Sequence, residues 1–190
     1  MSKPLSNVRV AILMTDGTDK TEYTTTRDAL TAAGATLSVV SPREHWVSGA
    51  PDKTRLMDFP GWGPDVPVDV NLEEADANRF DALFVPGGIV GPDLLRLQPK
   101  AGPFVAAFVD AKKPVASICH GPSLLVDAGR AKNRRLTSWS SLKNDLNNAG
   151  AKWEDSEVVV DDNLVTSRSP KDLPAFTEAV IKTFATSSRK

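Results

Sequence analysis

The chain has a single cysteine, Cys119, and the next residue is His120, one of only two histidines. They lie in PVASICHGPSLL (114–125), where a run of small and apolar residues ends and Gly121-Pro122 opens a helix-like segment. A tight strand-to-helix corner lifts a side chain out of the sheet and presents it. Free N–H groups and partial positive charge at a helix start favour the thiolate, and the thiolate is the nucleophile. Gly121 leaves clearance at the turn. Gly87 and Gly88, together with the backbone of His120, are candidate N–H donors to a developing oxyanion. The competing reading is that Cys119 is a small buried hydrophobe at a strand end, as free cysteines often are.

The elements that must position these residues follow from apolar patterning. VRVAILM (8–14) predicts a first buried strand, TEYTTTRDALTAAG (21–34) a helix ending at Gly34, and ATLSVVSP (35–42) a second strand. Residues 43–76 are rich in Pro, Gly and Asp, which predicts mostly loop with at most a short hairpin. FDALFVPGG (80–88) is a third strand, GPFVAAFVDAKK (102–113) a helix, PVASIC a fourth strand, and GPSLLVDAG (121–129) a helix with Pro122 near its first position. LTSW (136–139) predicts a short strand, and SSLKNDLNNAG (140–150) a helix with Ser140 or Ser141 as N-cap. EVVVDDNLVTS (157–167) reads as two strands around Asp161–Asn163, and PKDLPAFTEAVIKTFA (170–185) as a closing helix. Such alternation predicts a single α/β domain over 1–190 with a mostly parallel sheet covered on both faces. Functional groups of such sheets gather at the carboxyl ends of the strands. There lie Asp16 to Asp19, Gly87-Gly88, Cys119 and His120. Asp16 and Asp19 are also ordinary turn and cap residues. His45, in the long loop, is expected at the surface.

Hydrophobic residues are 41% and charged residues 25%, with a formal net charge of −1. No concentrated basic face is implied, so no nucleic-acid partner is expected. The longest apolar runs are of strand length, so no membrane span is expected. One cysteine cannot form an internal disulfide, and MSKPLSNVRV lacks the apolar core of a signal peptide, so the expected location is the cytoplasm. One cysteine and two histidines leave too few of zinc's usual ligands, and the reading calls for no metal and no cofactor.

ASICHGP (116–122), with DALFVPGG (81–88) upstream and LTSWSSLKNDLNNAGA (136–151) downstream, resembles the PfpI/ThiJ family of the class I glutamine-amidotransferase-like superfamily. The likeness extends through VAILMTDG (10–17), RDALTAAGATLSVVSP (27–42) and NLVTSRSPKDLPAF (163–176). It implies a flavodoxin-like three-layer α/β sandwich and a homodimer or larger homo-oligomer. It implies Cys119 as nucleophile and His120 as the adjacent base. Asp93, in PGGIVGPDLL (86–95), matches an acidic residue that orients the histidine from a neighbouring subunit. Relatives also place a glutamate near the cysteine in Asp-x-Phe-Glu. Here the stretch is DGTDKTE (16–22), so the matching position is Asp19, one methylene shorter, and Thr18 replaces the Phe. Glu22 matches a separate glutamate and is the alternative acid. FPGWG (59–63) resembles a segment near the pocket, where Trp62 either walls the site or packs on the sheet or a subunit interface.

Three functions follow from the resemblance. The first is a stress-response enzyme acting on small carbonyl compounds or glycated molecules through a thiohemiacetal-type adduct. The second is a cysteine hydrolase or intracellular peptidase using Cys119, His120 and Asp93. The third is a redox sensor or chaperone whose lone cysteine is oxidised; with no second cysteine, reversal would need an external thiol.

Overall fold

The structure is a computed structural model and describes residues 3–186. Its strands are β1 (Arg9–Leu13), β2 (Thr36–Ser41), β3 (Lys53–Asp58), β4 (Gly61–Pro67), β5 (Val70–Asn71), β6 (Ala82–Val85), β7 (Val115–Ile118), β8 (Arg135–Leu136), β9 (Lys152–Trp153), β10 (Val158–Asp161) and β11 (Leu164–Ser167). Its helices are α1 (Lys20–Ala32), α2 (Val90–Arg96), α3 (Ala101–Asp110), α4 (Ser123–Asp127), α5 (Lys143–Asn148) and α6 (Leu173–Phe184). Seven strands form the main sheet in the order β10-β11-β7-β6-β1-β2-β5. All neighbours in it are parallel except β10 and β11, an antiparallel hairpin closed at Asp162.

The pattern of burial explains the layering. β6, β7 and β11 are buried along their whole length, as strands covered on both faces must be. In β1 the side chains alternate: Ala11 and Leu13 join one core, Val10 and Ile12 the other. The first core takes Phe104, Val105 and Phe108 of α3, with Leu124 and Leu125 of α4. The second takes Tyr23 and Leu30 of α1, with Phe176, Val180 and Phe184 of α6. The result is the three-layer, flavodoxin-like sandwich expected. The carboxyl ends of β1, β6 and β7 meet at the middle of the sheet, and the loops leaving them build the site.

Several elements differ from expectation. Residues 43–76 hold the β3–β4 hairpin and the edge strand β5, with a register shift between Arg55 and Met57. The hairpin is longer than the short one allowed for, and Pro, Gly and Asp mask its length in the sequence. α2 was not among the helices expected, and it contains Gly91 and Pro92. Pro92 falls in the first turn, where a missing N–H costs nothing. Gly91 is needed for close approach: a Cβ there would lie 2.8 Å from Thr18 N. Neither Ser140 nor Ser141 caps α5; a 3₁₀ turn over Ser140–Leu142 leads into it instead, without a side-chain cap. The short strand expected at 136–139 is β8, which pairs with β9 in a separate small sheet.

Candidate active site

β7 ends at Ile118, and Cys119 takes the left-handed conformation, with φ 59°. For a residue with a Cβ this is a strained turn. It is held from three sides. Cys119 N–H donates to Ser167 O at 3.0 Å, Trp139 N–H donates to Cys119 O at 2.9 Å, and Gly121 N–H donates to Ile118 O at 2.9 Å. Gly121 tolerates no side chain, since a Cβ would sit 2.6 Å from Val85 O. Cys119 is 8% exposed, so the residue is largely shielded from solvent.

The carboxyl group beside this sulfur belongs to Glu22. α1 starts from Asp19, whose side chain accepts a hydrogen bond from Glu22 N–H at 2.9 Å. That start turns Glu22 inward, where it is fully buried. Its Oε2 accepts the Gly87 N–H at 2.8 Å, its Oε1 has no hydrogen-bond partner among the described residues, and the carboxyl lies beside the Cys119 side chain. Gly87 permits this only by lacking a side chain: a Cβ would lie 2.6 Å from both Cys119 Cβ and Glu22 Oε2. Burial pushes Glu22 up to about 8, the nearby Asp19 charge adds to this, and the Gly87 bond and the Cys119 side chain oppose it. The carboxyl is therefore protonated at neutral pH.

Burial also pushes the Cys119 thiol up, and a charged Glu22 would push it further. The N–H groups of Gly88 and His120, aimed at the sulfur, work in the opposite direction. Below about pH 8 the repulsion from Glu22 is absent, because Glu22 is neutral. Gly88 needs its positive φ of 93° and its bare Cα, since a Cβ there would meet Gly17 O at 2.5 Å.

The other residues singled out in the sequence are placed as follows. The Asp19 side chain is engaged as the cap of α1, and the carboxyl beside the Cys119 side chain is that of Glu22, the alternative acid of the sequence reading. Gly87 is not an oxyanion donor, because its N–H is engaged by Glu22; Gly88 and His120 are the donors that face the sulfur. His120 makes no ring hydrogen bond among the described residues and stacks on Trp139, with centroids 6.3 Å apart and planes at 27°. Burial lowers its pKa, and the charge of Asp93 partly offsets this. Asp93 lies in α2 with its side chain 77% exposed, 4.0 Å from Arg96, and makes no hydrogen bond to His120 within this chain. Trp62 stands half exposed on the β3–β4 hairpin opposite Met57, whose N–H donates to Thr18 O at 2.8 Å.

Asp16 is structural. Its buried carboxylate accepts from the N–H groups of Val47, Ser48 and Arg55 and from the Thr54 hydroxyl. Burial alone would raise its pKa, but these four bonds together hold it below the usual range. His45 is not at the surface. Its side chain is buried 3.8 Å from Asp16, with both ring nitrogens unpartnered among the described residues, and burial lowers its pKa, so it stays neutral.

Trp139, which stacks on His120 and bonds the backbone of Cys119, is the residue at this corner that sequence reasoning did not single out. Its signal is an aromatic residue directly after Thr137-Ser138, two residues that link the carboxyl end of β11 to the thiol corner: Thr137 N–H donates to Thr166 Oγ1 at 3.0 Å. Glu22 carried a clearer signal. Asp19-Lys20-Thr21-Glu22 has the spacing of a capping box, which places the glutamate at the third helical position.

This arrangement can be compared with known proteins. General stress protein 18 of Bacillus subtilis (strain 168) is 38% identical over 169 residues, 88% of this chain and 92% of its own. Protein/nucleic acid deglycase 2 of Escherichia coli (strain K12) is 37% identical over 175 residues, 92% of this chain and 96% of its own. The crystal structure of a two-domain protein of Anabaena variabilis, with DJ-1/ThiJ/PfpI-like and ferritin-like domains, superposes with a TM-score of 0.83 at 32% identity. The match covers 93% of this chain and 48% of that one. The profile of the DJ-1/PfpI family matches residues 8–183, a span that includes the thiol corner, the glycine pair and the buried glutamate. With fold, corner and sequence in agreement over nearly its whole length, the chain belongs to the DJ-1/PfpI family.

Proposed function

We propose that the protein is a cysteine-dependent enzyme of carbonyl stress, acting on small dicarbonyls or on the early adducts they form with other molecules. The observation that carries this reading is the fully buried Glu22 carboxyl beside the Cys119 side chain, held there by the Gly87 N–H, with the Gly88 and His120 backbone close by. Names of relatives, a general stress protein and a deglycase, support it. In the first step the sulfur adds to the carbonyl carbon. An S–C bond forms, the carbonyl electron pair moves to oxygen, and the thiol proton is relayed through Glu22 to that oxygen, giving a hemithioacetal. N–H donors fixed before reaction stabilise the developing charge without reorganising. With a dicarbonyl, neutral His120 then serves as base: it takes the carbon-bound proton to give an enediol and returns it to the adjacent carbon, while the hemithioacetal hydroxyl proton passes to the adjacent oxygen, leaving a thioester beside a hydroxyl group. Water hydrolyses the thioester to a hydroxy acid and returns the thiol. The lowered His120 pKa suits this role, because a base must be unprotonated.

The test is methylglyoxal turnover with lactate detection for the wild type, Cys119→Ala and Glu22→Gln. Activity is expected in the wild type, abolished by the alanine change and reduced about 10²-fold or more by the glutamine change, the scale of a lost general acid–base group. No lactate from the wild type, or equal turnover in Cys119→Ala, overturns the reading.

A further inference from the structure

Asp19 lies outside the reacting atoms, yet it belongs to a closed ring of three hydrogen bonds around the site. Glu22 N–H donates to Asp19 Oδ1 at 2.9 Å, Asp19 N–H donates to Gly87 O at 3.0 Å, and Gly87 N–H donates to Glu22 Oε2 at 2.8 Å. Each of the three residues gives one bond and receives one. In an ordinary capping box the glutamate side chain returns to the N–H of the cap residue. Here that N–H is taken by Gly87 O, and the glutamate reaches the N–H of the same glycine instead. The Gly87 peptide has thus been inserted into the box, joining the start of α1 to the glycine pair after β6. The Asp19 side chain supplies the one bond of the ring that acts on the first turn of α1, the turn that carries Glu22.

The cap is also a charge. Asp19 and Cys119 are the titratable groups that bear on Glu22, and Gly87 contributes only backbone. A serine or asparagine would cap the helix about as well, but only an acidic residue places a negative charge there. Like charges close together disfavour ionisation of the second.

We propose that Asp19 is a positioning residue for the thiol chemistry: through the ring it holds the Glu22 carboxyl against Cys119, and its carboxylate sets a negative charge beside that carboxyl. The proposal rests on the reading of Glu22 as the proton-carrying group, and its test needs no carbonyl substrate. Three variants separate cap from charge. Asp19→Asn and Asp19→Ser keep an acceptor and remove the charge; Asp19→Glu keeps the charge on a longer arm. The Glu22 carboxyl carbon is titrated by ¹³C NMR, assigned by its loss in Glu22→Gln, and the rate of Cys119 alkylation by iodoacetamide is followed against pH. In Asp19→Asn and Asp19→Ser the Glu22 midpoint is expected to fall by about one pH unit from its wild-type position near 8, the inflection in alkylation moving with it. In Asp19→Glu the midpoint stays high. A wild-type midpoint in the asparagine and serine variants overturns the proposal. An equal fall in all three also overturns it, since that would be damage to packing rather than loss of charge. Failure of the wild type to turn over methylglyoxal would leave both readouts intact, so the two readings fail separately.

Discussion

Glu22 is an acid kept neutral by its surroundings, and this links the site to stability. Its ordinary value is 4.5 and its folded value about 8. Below both, folded and unfolded chains carry the proton alike, and burial of the neutral carboxyl costs little. As pH rises from 4.5 towards 8, the unfolded chain releases the proton and the folded one does not, so stability falls through that window and levels off above it. The urea midpoint is therefore expected to drop between pH 5 and 8 in the wild type and to drop less in Glu22→Gln, which has no proton to release. Equal slopes in the two proteins would show that Glu22 titrates normally. The same residue marks the limit of what the sequence tells. Cys119 and His120 stand out because they are scarce and adjacent. Choosing between Asp19 and Glu22 depends on where α1 begins, because a shift of three residues exchanges a cap for an inward-pointing side chain. That boundary is fixed by the pairing of Asp19 with Gly87, a contact that spacing along the chain does not reveal.

At the level of elements, the site is a junction of three loops, and glycine sets how closely they approach. Gly87→Ala would put a methyl group 2.6 Å from Cys119 Cβ and 2.8 Å from Ile118 O. Neither is the free end of a flexible chain, so the β6 and β7 loops must separate. A loss of about 1–3 kcal/mol is expected, the range for an overpacked interior, together with loss of the Glu22 bond. Chemical denaturation checks the first and the ¹³C signal of Glu22 the second; a variant as stable as the wild type would mean that the loops have slack. The strand–helix alternation that makes these loops meet was legible, because buried parallel strands are nearly continuous apolar runs. α2 and the length of the β3–β4 hairpin were not. Their proline and glycine residues serve a first turn, a close approach and a register shift, uses that look the same in a sequence as the residues of a loop.

For the whole molecule, the left-handed backbone at Cys119 opposes folding. A side chain in this conformation costs about 1–2 kcal/mol, a sizeable part of the roughly 5–15 kcal/mol that separates most folded domains from their unfolded chains. Glycine escapes the penalty. Cys119→Gly is therefore expected to melt at a higher temperature than Cys119→Ala, by about 1 kcal/mol of stability after allowing for glycine's freer unfolded chain. Calorimetry on the two inactive proteins decides it, and a higher melting temperature for the alanine variant would mean that the corner relaxes. The consequence reaches beyond the test tube. Among the replacements open to a lineage that stopped using the thiol, the backbone at position 119 favours glycine over alanine, so the corner itself would steer how the cysteine is lost.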